Sequence, residues 1–400
     1  MPARASKTKK PSGKWISTAQ GYRAFHPNPL PPALEWSPRL VRALSDADQV
    51  LGQLAGEGRR LPNPHLLIRP FIQREAVYSS RIEGTQSTLG ELLAADAGVP
   101  VERSPEDLRE VGNYVAALDH GIKRLDSLPL SIRLVRELHE KLMRGVRGDH
   151  ATPGELRRSQ NWIGPAGCTL ATATYVPPPP DILMECLGQW ENFLHDRTMP
   201  TLAHAALAHY QFEAIHPFVD GNGRVGRLLI TLLLMERGVL PLPLLYLSAF
   251  FEATRRDYYG ALNGVSERSA WEEWLFYFLN GVARQSEDAL SRAQRINQLL
   301  DGWRGRVRST VALRLLDVLA VNPFLTVRKA EKHLEVAYNT AALAIRQLQQ
   351  EGVVVQKGEA RRDRVFCAQA LLDILEEQPE LTARQPASSK QKRASRKSRR

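Results

Sequence analysis

No apolar run approaches the ~20 residues that a membrane-spanning helix requires, and the basic stretch from Met1 to Lys14 lacks the apolar centre of a secretory leader. Cysteine is scarce. Cys168, Cys186 and Cys367 are far apart, which excludes a zinc knuckle built on close pairs and a disulfide framework. A soluble protein of the reducing cytoplasm is therefore expected. Acidic residues are missing from both ends: residues 1–14 carry five Lys or Arg, residues 384–400 carry eight, and neither segment has an Asp or Glu. Without these thirteen, 41 basic residues face 43 acidic ones, so the net charge of +11 belongs to the ends. Both ends are rich in Ser, Lys, Arg and Ala with little apolar surface, and are expected to be disordered, over about 1–30 and 376–400. Such tails attract nucleic acid or other polyanions without reading sequence.

The 400 residues suggest two or three domains, because single cores rarely grow past about 250 residues. Beyond the proline-rich entry at 27–32 the chain reads as mainly α. Ser104 as N-cap and Pro105 at the first helical position start a helix in which Leu108, Val111, Val115, Leu118, Ile122 and Leu125 form one apolar stripe. A second helix follows Ser131 and buries Leu134, Leu138 and Leu142. Between Gly164 and Pro180 the small and β-branched residues 169–176, closed by four prolines, predict a surface hairpin or loop. Helices resume at about 181 and over 201–214. Another runs from the glycines near 223 to Met235, and an apolar helix from Trp271 to Leu279 is followed by a polar linker helix to about Trp303. The last module, 305–375, has helices at 310–320, from Thr326, and at 338–350, then strands at 353–355 and 365–366 across a basic turn with Arg361, Arg362 and Arg364. That order predicts a winged helix.

The densest chemistry lies in His216-Pro-Phe-Val-Asp-Gly-Asn-Gly-Arg-Val-Gly-Arg227. Gly221 and Gly223 let the backbone turn successive amides toward one point, and a helix N-terminus then adds partial positive charge there. Arg224 and Arg227, three residues apart, share a face that reaches a polyphosphate. Asp220 is a hard oxygen ligand for magnesium bound to phosphate, and His216 is placed as general base. His204 and His209, five apart on a helix, are poorly spaced for a shared metal and read as ordinary helix residues.

This run resembles the signature of the Fic family at every position, His-Pro-Phe-x-Asp-Gly-Asn-Gly-Arg with a second Arg three residues on. The resemblance implies a helical catalytic domain, about 129–300 here, with a β-hairpin flap near 164–177 that aligns the target's main chain. It implies transfer of AMP from ATP to Ser, Thr or Tyr hydroxyls of target proteins or of the chain itself. His216 would be the base, Asp220 the Mg2+ ligand, Gly221, Asn222 and Gly223 the anion hole, Arg224 and Arg227 the phosphate clamps, and Phe218 the loop's anchor. The Doc-like kinase branch carries a lysine at the place of Gly223 and lacks the acid of Asp220, so this chain departs from it. Gly154-Glu-Leu-Arg157 and Asn161-Trp-Ile-Gly164 resemble the family's approach to the flap.

Within the N-terminal helical region, 31–128, Pro70 to Glu83 predicts a helix begun by proline and capped by Gly84, with Ser79 and Glu83 on one face. Ser79-Ser-Arg-Ile-Glu83-Gly84 resembles the family's inhibitory motif, which implies that Glu83 pairs with Arg227 and takes the place of the ATP γ-phosphate. Tyr259 either lines the adenine pocket or is plain core. Three matters stay open: removal of AMP at the same site, DNA binding through the winged helix as a transcription regulator, and a homodimer.

Overall fold

The computed structural model describes residues 11–378 except 19, 61–64, 103–104, 147–151, 166 and 359–363. The expectations for Ser104 as N-cap, for the ends 1–10 and 379–400, and for Arg361 and Arg362 lie outside these residues. Strands β1 (Gly13–Ser17) and β2 (Arg23–Pro27) form an antiparallel hairpin, followed by helices α1 (Pro38–Arg60), α2 (His65–Ile82), α3 (Leu89–Asp96), α4 (Pro105–Arg124) and α5 (Ile132–Met143). Next come α6 (Leu183–Leu194), α7 (Thr201–Ile215), α8 (Asn222–Glu236), α9 (Ser248–Ala253), α10 (Arg255–Arg268) and α11 (Trp271–Arg306). The chain closes with α12 (Thr310–Val321), β3 (Phe324–Thr326), α13 (Val327–Leu334), α14 (Tyr338–Gln350), β4 (Val355–Lys357), β5 (Val365–Cys367) and α15 (Gln369–Glu376). Among the described residues no helix is long and apolar enough to cross a membrane.

The centre of the molecule is the antiparallel pair α7 and α8. From Leu202 to Ile215 all of α7 except Glu213 is buried, and α8 is buried from Arg224 to Leu234. Helices apolar on every side belong inside a core. They are enclosed by α4, α5, α6 and α11. The stripe on α4 and the Ser131 cap of α5 stand as expected: the Ser131 side chain accepts from Leu134 N, and Leu134, Leu138 and Leu142 are buried.

Four expectations need correction. Residues 11–27 are not a disordered tail, because Trp15, Phe25 and Tyr175 form an aromatic cluster, with centroids 5.2 to 6.0 Å apart, that a few basic neighbours do not outweigh. α2 begins five residues before Pro70, which sits inside the helix. Proline there gives up one bond, to Leu66 O, and crowds that carbonyl, a local cost set against the burial of Leu67, Phe71 and Ile72 on the same helix. The segment 271–306 is one helix rather than a core helix and a linker, since its polar half buries Gln285, Ser286 and Arg292 against the core. Among the described residues of 163–175, the segment expected as a hairpin or loop turns back through one antiparallel bridge, Ile163 to Tyr175, so it is a loop rather than a hairpin of paired strands.

At the C-terminal end β3, β5 and β4 form a three-stranded antiparallel sheet in that spatial order. Thr326 caps α13 by accepting from Lys329 N. The strand after α14 lies two residues later than the sequence suggests, because Val353 and Val354 are buried as the turn into it. β3 and α15 are additions to the sequence reading.

Candidate active site

His216 ends α7 in the left-handed region, at φ 50° and ψ 62°, and its amide donates to Phe212 O at 3.0 Å. A non-glycine residue seldom adopts this conformation, and here it turns the chain from α7 into the loop. Nδ1 lies 3.3 Å from the Glu213 carbonyl. A carbonyl only accepts, so Nδ1 carries the proton and Nε2 keeps the basic lone pair. Burial pushes the imidazole down to about 4, so the ring is neutral at pH 7 and able to take a proton.

The loop is fixed from several sides. Arg157, itself buried, donates from Nε to the His216 carbonyl at 2.9 Å and from Nη2 to Pro178 O at 2.5 Å. Asn161 Nδ2 donates to Phe218 O at 2.7 Å. Phe218 is fully buried and stacks on His139 with centroids 3.8 Å apart. His139 Nδ1 accepts from Gly154 N at 2.8 Å, which leaves Nε2–H to donate to Asp220 O at 3.0 Å. Sequence reasoning missed His139: it lies on the buried face of α5, and nothing local distinguishes it from a packing residue.

Gly221, at φ +76°, precedes α8, and a side chain there would press on Met143 Sδ at 2.8 Å. The first amides of α8, from Asn222 to Arg224, have no carbonyl one turn earlier in the helix to bond. Free amides at a helix start are of the kind that suit an anion. The Asn222 side chain is engaged elsewhere, accepting from Phe218 N at 2.8 Å and donating to Phe218 O at 2.9 Å. Any anion-hole role of Asn222 thus belongs to its backbone. Asp220 Oδ1 accepts from Gly221 N at 2.6 Å and lies 3.7 Å from Arg224 Nη2, with the side chain half exposed.

The two arginines are both buried and both already paired. Arg227 donates from Nε to Ser79 Oγ at 2.9 Å, and from Nη2 to Ser79 O at 2.9 Å and Glu83 Oε1 at 2.6 Å. Burial would raise the Glu83 carboxyl, but Arg227 outweighs it and holds the group below its ordinary range. Burial likewise opposes the charge on Arg227, yet Glu83 foremost keeps the guanidinium protonated beyond its usual range. The Glu83 carboxylate presses against Gly223, where a Cβ would collide with Oε1. Arg224 is held differently: Nη1 lies 3.4 Å from Glu110 Oε2, and the same oxygen accepts from Thr85 Oγ1 at 3.0 Å. Glu110 was also missed by the sequence reading, since a glutamate on a long helix carries no mark of a partner 114 residues away.

Tyr259 is 37% exposed and the Arg255 guanidinium lies 6.0 Å over its ring. It is at the surface beside the site, whereas its neighbour Tyr258 is core and meets His209 Nε2 at 2.8 Å. His209 has both ring nitrogens engaged in the core, by Gly226 O at 3.1 Å and the Tyr258 hydroxyl at 2.8 Å, and His204 Nε2 meets Phe193 O at 2.7 Å. The structure therefore brings Ser79, Glu83, His216, Asp220, Gly221, Asn222, Gly223, Arg224 and Arg227 to one place.

Residues 129–234 match the Fic/DOC family and residues 41–123 match the Fic/DOC family N-terminal region. These two segments of the chain belong with the Fic/DOC family. Among its relatives, the protein adenylyltransferase Fic of Drosophila sechellia is 33% identical over 174 residues, covering 41% of this chain and 32% of that protein. The protein of the same name from Drosophila ananassae is 35% identical over 137 residues, covering 32% of this chain and 25% of the relative. The chain thus spans about a third or less of the length of these relatives. A crystal structure of a Fic family protein from Desulfovibrio desulfuricans G20 superposes with a TM-score of 0.57 at 19% identity, over 85% of this chain and 98% of the other. That likeness is one of fold.

Proposed function

We propose that this protein moves AMP from ATP onto a Ser, Thr or Tyr hydroxyl of a protein, and that Glu83 restrains it. The observation that carries the reading is the Glu83 carboxylate bonded to Arg227 at 2.6 Å while lying against Gly223. A negative group occupies the mouth of a cradle whose amides and arginine suit a phosphate. In the transfer step His216 Nε2 takes the proton of the incoming hydroxyl. The hydroxyl oxygen bonds to the α-phosphorus, and the bond to the leaving pyrophosphate breaks with its electron pair on pyrophosphate. Asp220 suits magnesium. Asp220, half exposed beside the cradle, would hold the ion together with phosphate oxygens, since magnesium on a nucleotide needs only one or two carboxylates. When bound, magnesium would offset phosphate charge. Tyr259, at the surface beside the site, would line the adenine.

The test is labelling with radioactive ATP in lysate, comparing the wild-type chain with Glu83→Gly and identifying labelled bands by mass spectrometry. More label with Glu83→Gly supports transfer held in check by the glutamate. Less label transferred, with modified protein left undischarged, would reverse the direction to removal of AMP. The order helix, strand, helix, helix, strand, strand between 310 and 367, with the sheet order β3-β5-β4, supports a winged-helix unit. Whether DNA is its partner is read by mobility shift at graded salt, where phosphate contacts weaken as salt rises.

A further inference from the structure

α2 carries the inhibitory Glu83 just past its C-terminal end, yet its middle turns are held by charged groups. Arg74 is buried and forms an ion pair with Asp288 of α11 at 3.3 Å. Asp288 is also gripped by Arg292, from Nε and Nη2 at 2.8 Å each. Two guanidinium groups therefore share one carboxylate. Burial, and then the charge of Arg292, lower the pKa of Arg74.

The remaining acceptors come from the end of α15. The Glu377 carbonyl accepts from Arg74 Nη2 at 3.3 Å and from Arg292 Nη2 at 2.6 Å, and the Ile374 carbonyl accepts from Arg292 Nη1. These are the open carbonyls at a helix C-terminus, which favour cations. Next to them, Glu376 Oε1 accepts from Gly90 N at 2.8 Å at the start of α3, and Glu377 pairs with Arg295. The same module reaches the far end of α3, where Asn322 Nδ2 donates to Leu93 O at 2.9 Å. Leu371, Leu372, Ile374 and Leu375 bury the apolar side of α15, which packs on α2, α3 and α11.

We propose that the C-terminal end of α15 is a latch that keeps the Glu83 helix in its inhibiting position. With α15 undocked, two buried arginines face one aspartate, and the uncompensated charge is relieved by Arg74 moving toward water. Arg74 and Ser79 lie on one rigid helix, so that movement withdraws Ser79 and Glu83 from Arg227. The inference rests on the reading of Glu83 as the inhibitory carboxylate, and it makes the C-terminal module the place where a bound partner would be felt at the active site.

The experiment uses the full chain with Leu375→Asp to undock α15, and with Glu376→Ala as a mild variant that leaves the apolar contacts intact. Each is made with and without Glu83→Gly. AMP labelling and hydrogen exchange of the amides from Ser80 to Glu83 are read together. Leu375→Asp is expected to raise labelling by at least about fivefold, the low end of common couplings between sites, with faster exchange at those amides. Glu376→Ala should shift both in the same direction by less, and neither should add to Glu83→Gly. Unchanged exchange and labelling in Glu376→Ala, with only global unfolding in Leu375→Asp, would overturn the latch. So would an equal gain in the Glu83→Gly background. If Glu83→Gly itself leaves labelling unchanged, the proposed function fails, while exchange at Ser80 to Glu83 still decides whether α15 holds the helix.

Discussion

His216 shows how one residue's placement sets its chemistry. The left-handed turn that ends α7 leaves Nε2 as the basic atom, with Nδ1 committed to Glu213 O. His216→Ala should lower AMP transfer by roughly 10²- to 10⁴-fold, the usual worth of a general base, while nucleotide binding persists. Near-normal transfer by the variant would remove the base from His216. The acid limb of the rate is also set. Burial holds the ring at about 4, and the neutral ring is the competent form, so activity should fall only as pH drops through that value. Removing Glu83, whose charge raises the His216 pKa, moves the limb lower still. A kcat/KM profile of Glu83→Gly with an inflection near the ordinary histidine value would contradict the burial of the base.

At the scale of elements, the Glu83–Arg227 contact joins the end of α2 to α8 across the fold, and the two sides of the proposed lock are separable by mutation. Arg227→Ala removes both the partner of Glu83 and the proposed phosphate contact, so adding Glu83→Gly to it should give little further activation. Directly interacting residues depart from additivity in this way. Each ~1.4 kcal/mol of preference for the locked state caps the gain from Glu83→Gly at about tenfold. A double variant as active as Glu83→Gly alone would show that Arg227 does not hold the phosphate. Much of this was legible in the sequence because its signals are local: a cap at Ser131, a stripe on α4, glycines around Asn222, and Ser79 and Glu83 one turn apart. The grip of Glu110 on Arg224 and of His139 on the Asp220 carbonyl was not, since both depend on which helices become neighbours. α11 misled for the opposite reason. Its polar residues suggested solvent, but Arg292 and Gln285 are polar groups in the core, and only tertiary partners show that.

For the whole molecule, the N-terminal hairpin ties residues near the start of the chain to the segment facing the active-site loop. Phe25 is fully buried, its amide donates to Val176 O at 2.8 Å, and its ring meets Trp15 and Tyr175. Tyr175 in turn pairs with Ile163, in the segment read as the flap, and donates its hydroxyl to Ala214 O at 2.8 Å, two residues before His216. A Phe→Ala change at a fully buried site costs about 3–5 kcal/mol, and here the lost packing falls on Tyr175. Phe25→Ala should therefore speed hydrogen exchange of the Ile163 and Tyr175 amides, which bond across the turn at 2.8 and 3.0 Å, more than that of the α8 amides from Leu228 to Leu234. With the flap loosened and the cradle intact, the KM for a protein target should rise while the KM for ATP stays near its original value. Equal loss of protection in the flap and in α8 would mean that the hairpin supports the core as a whole and has no particular hold on the flap.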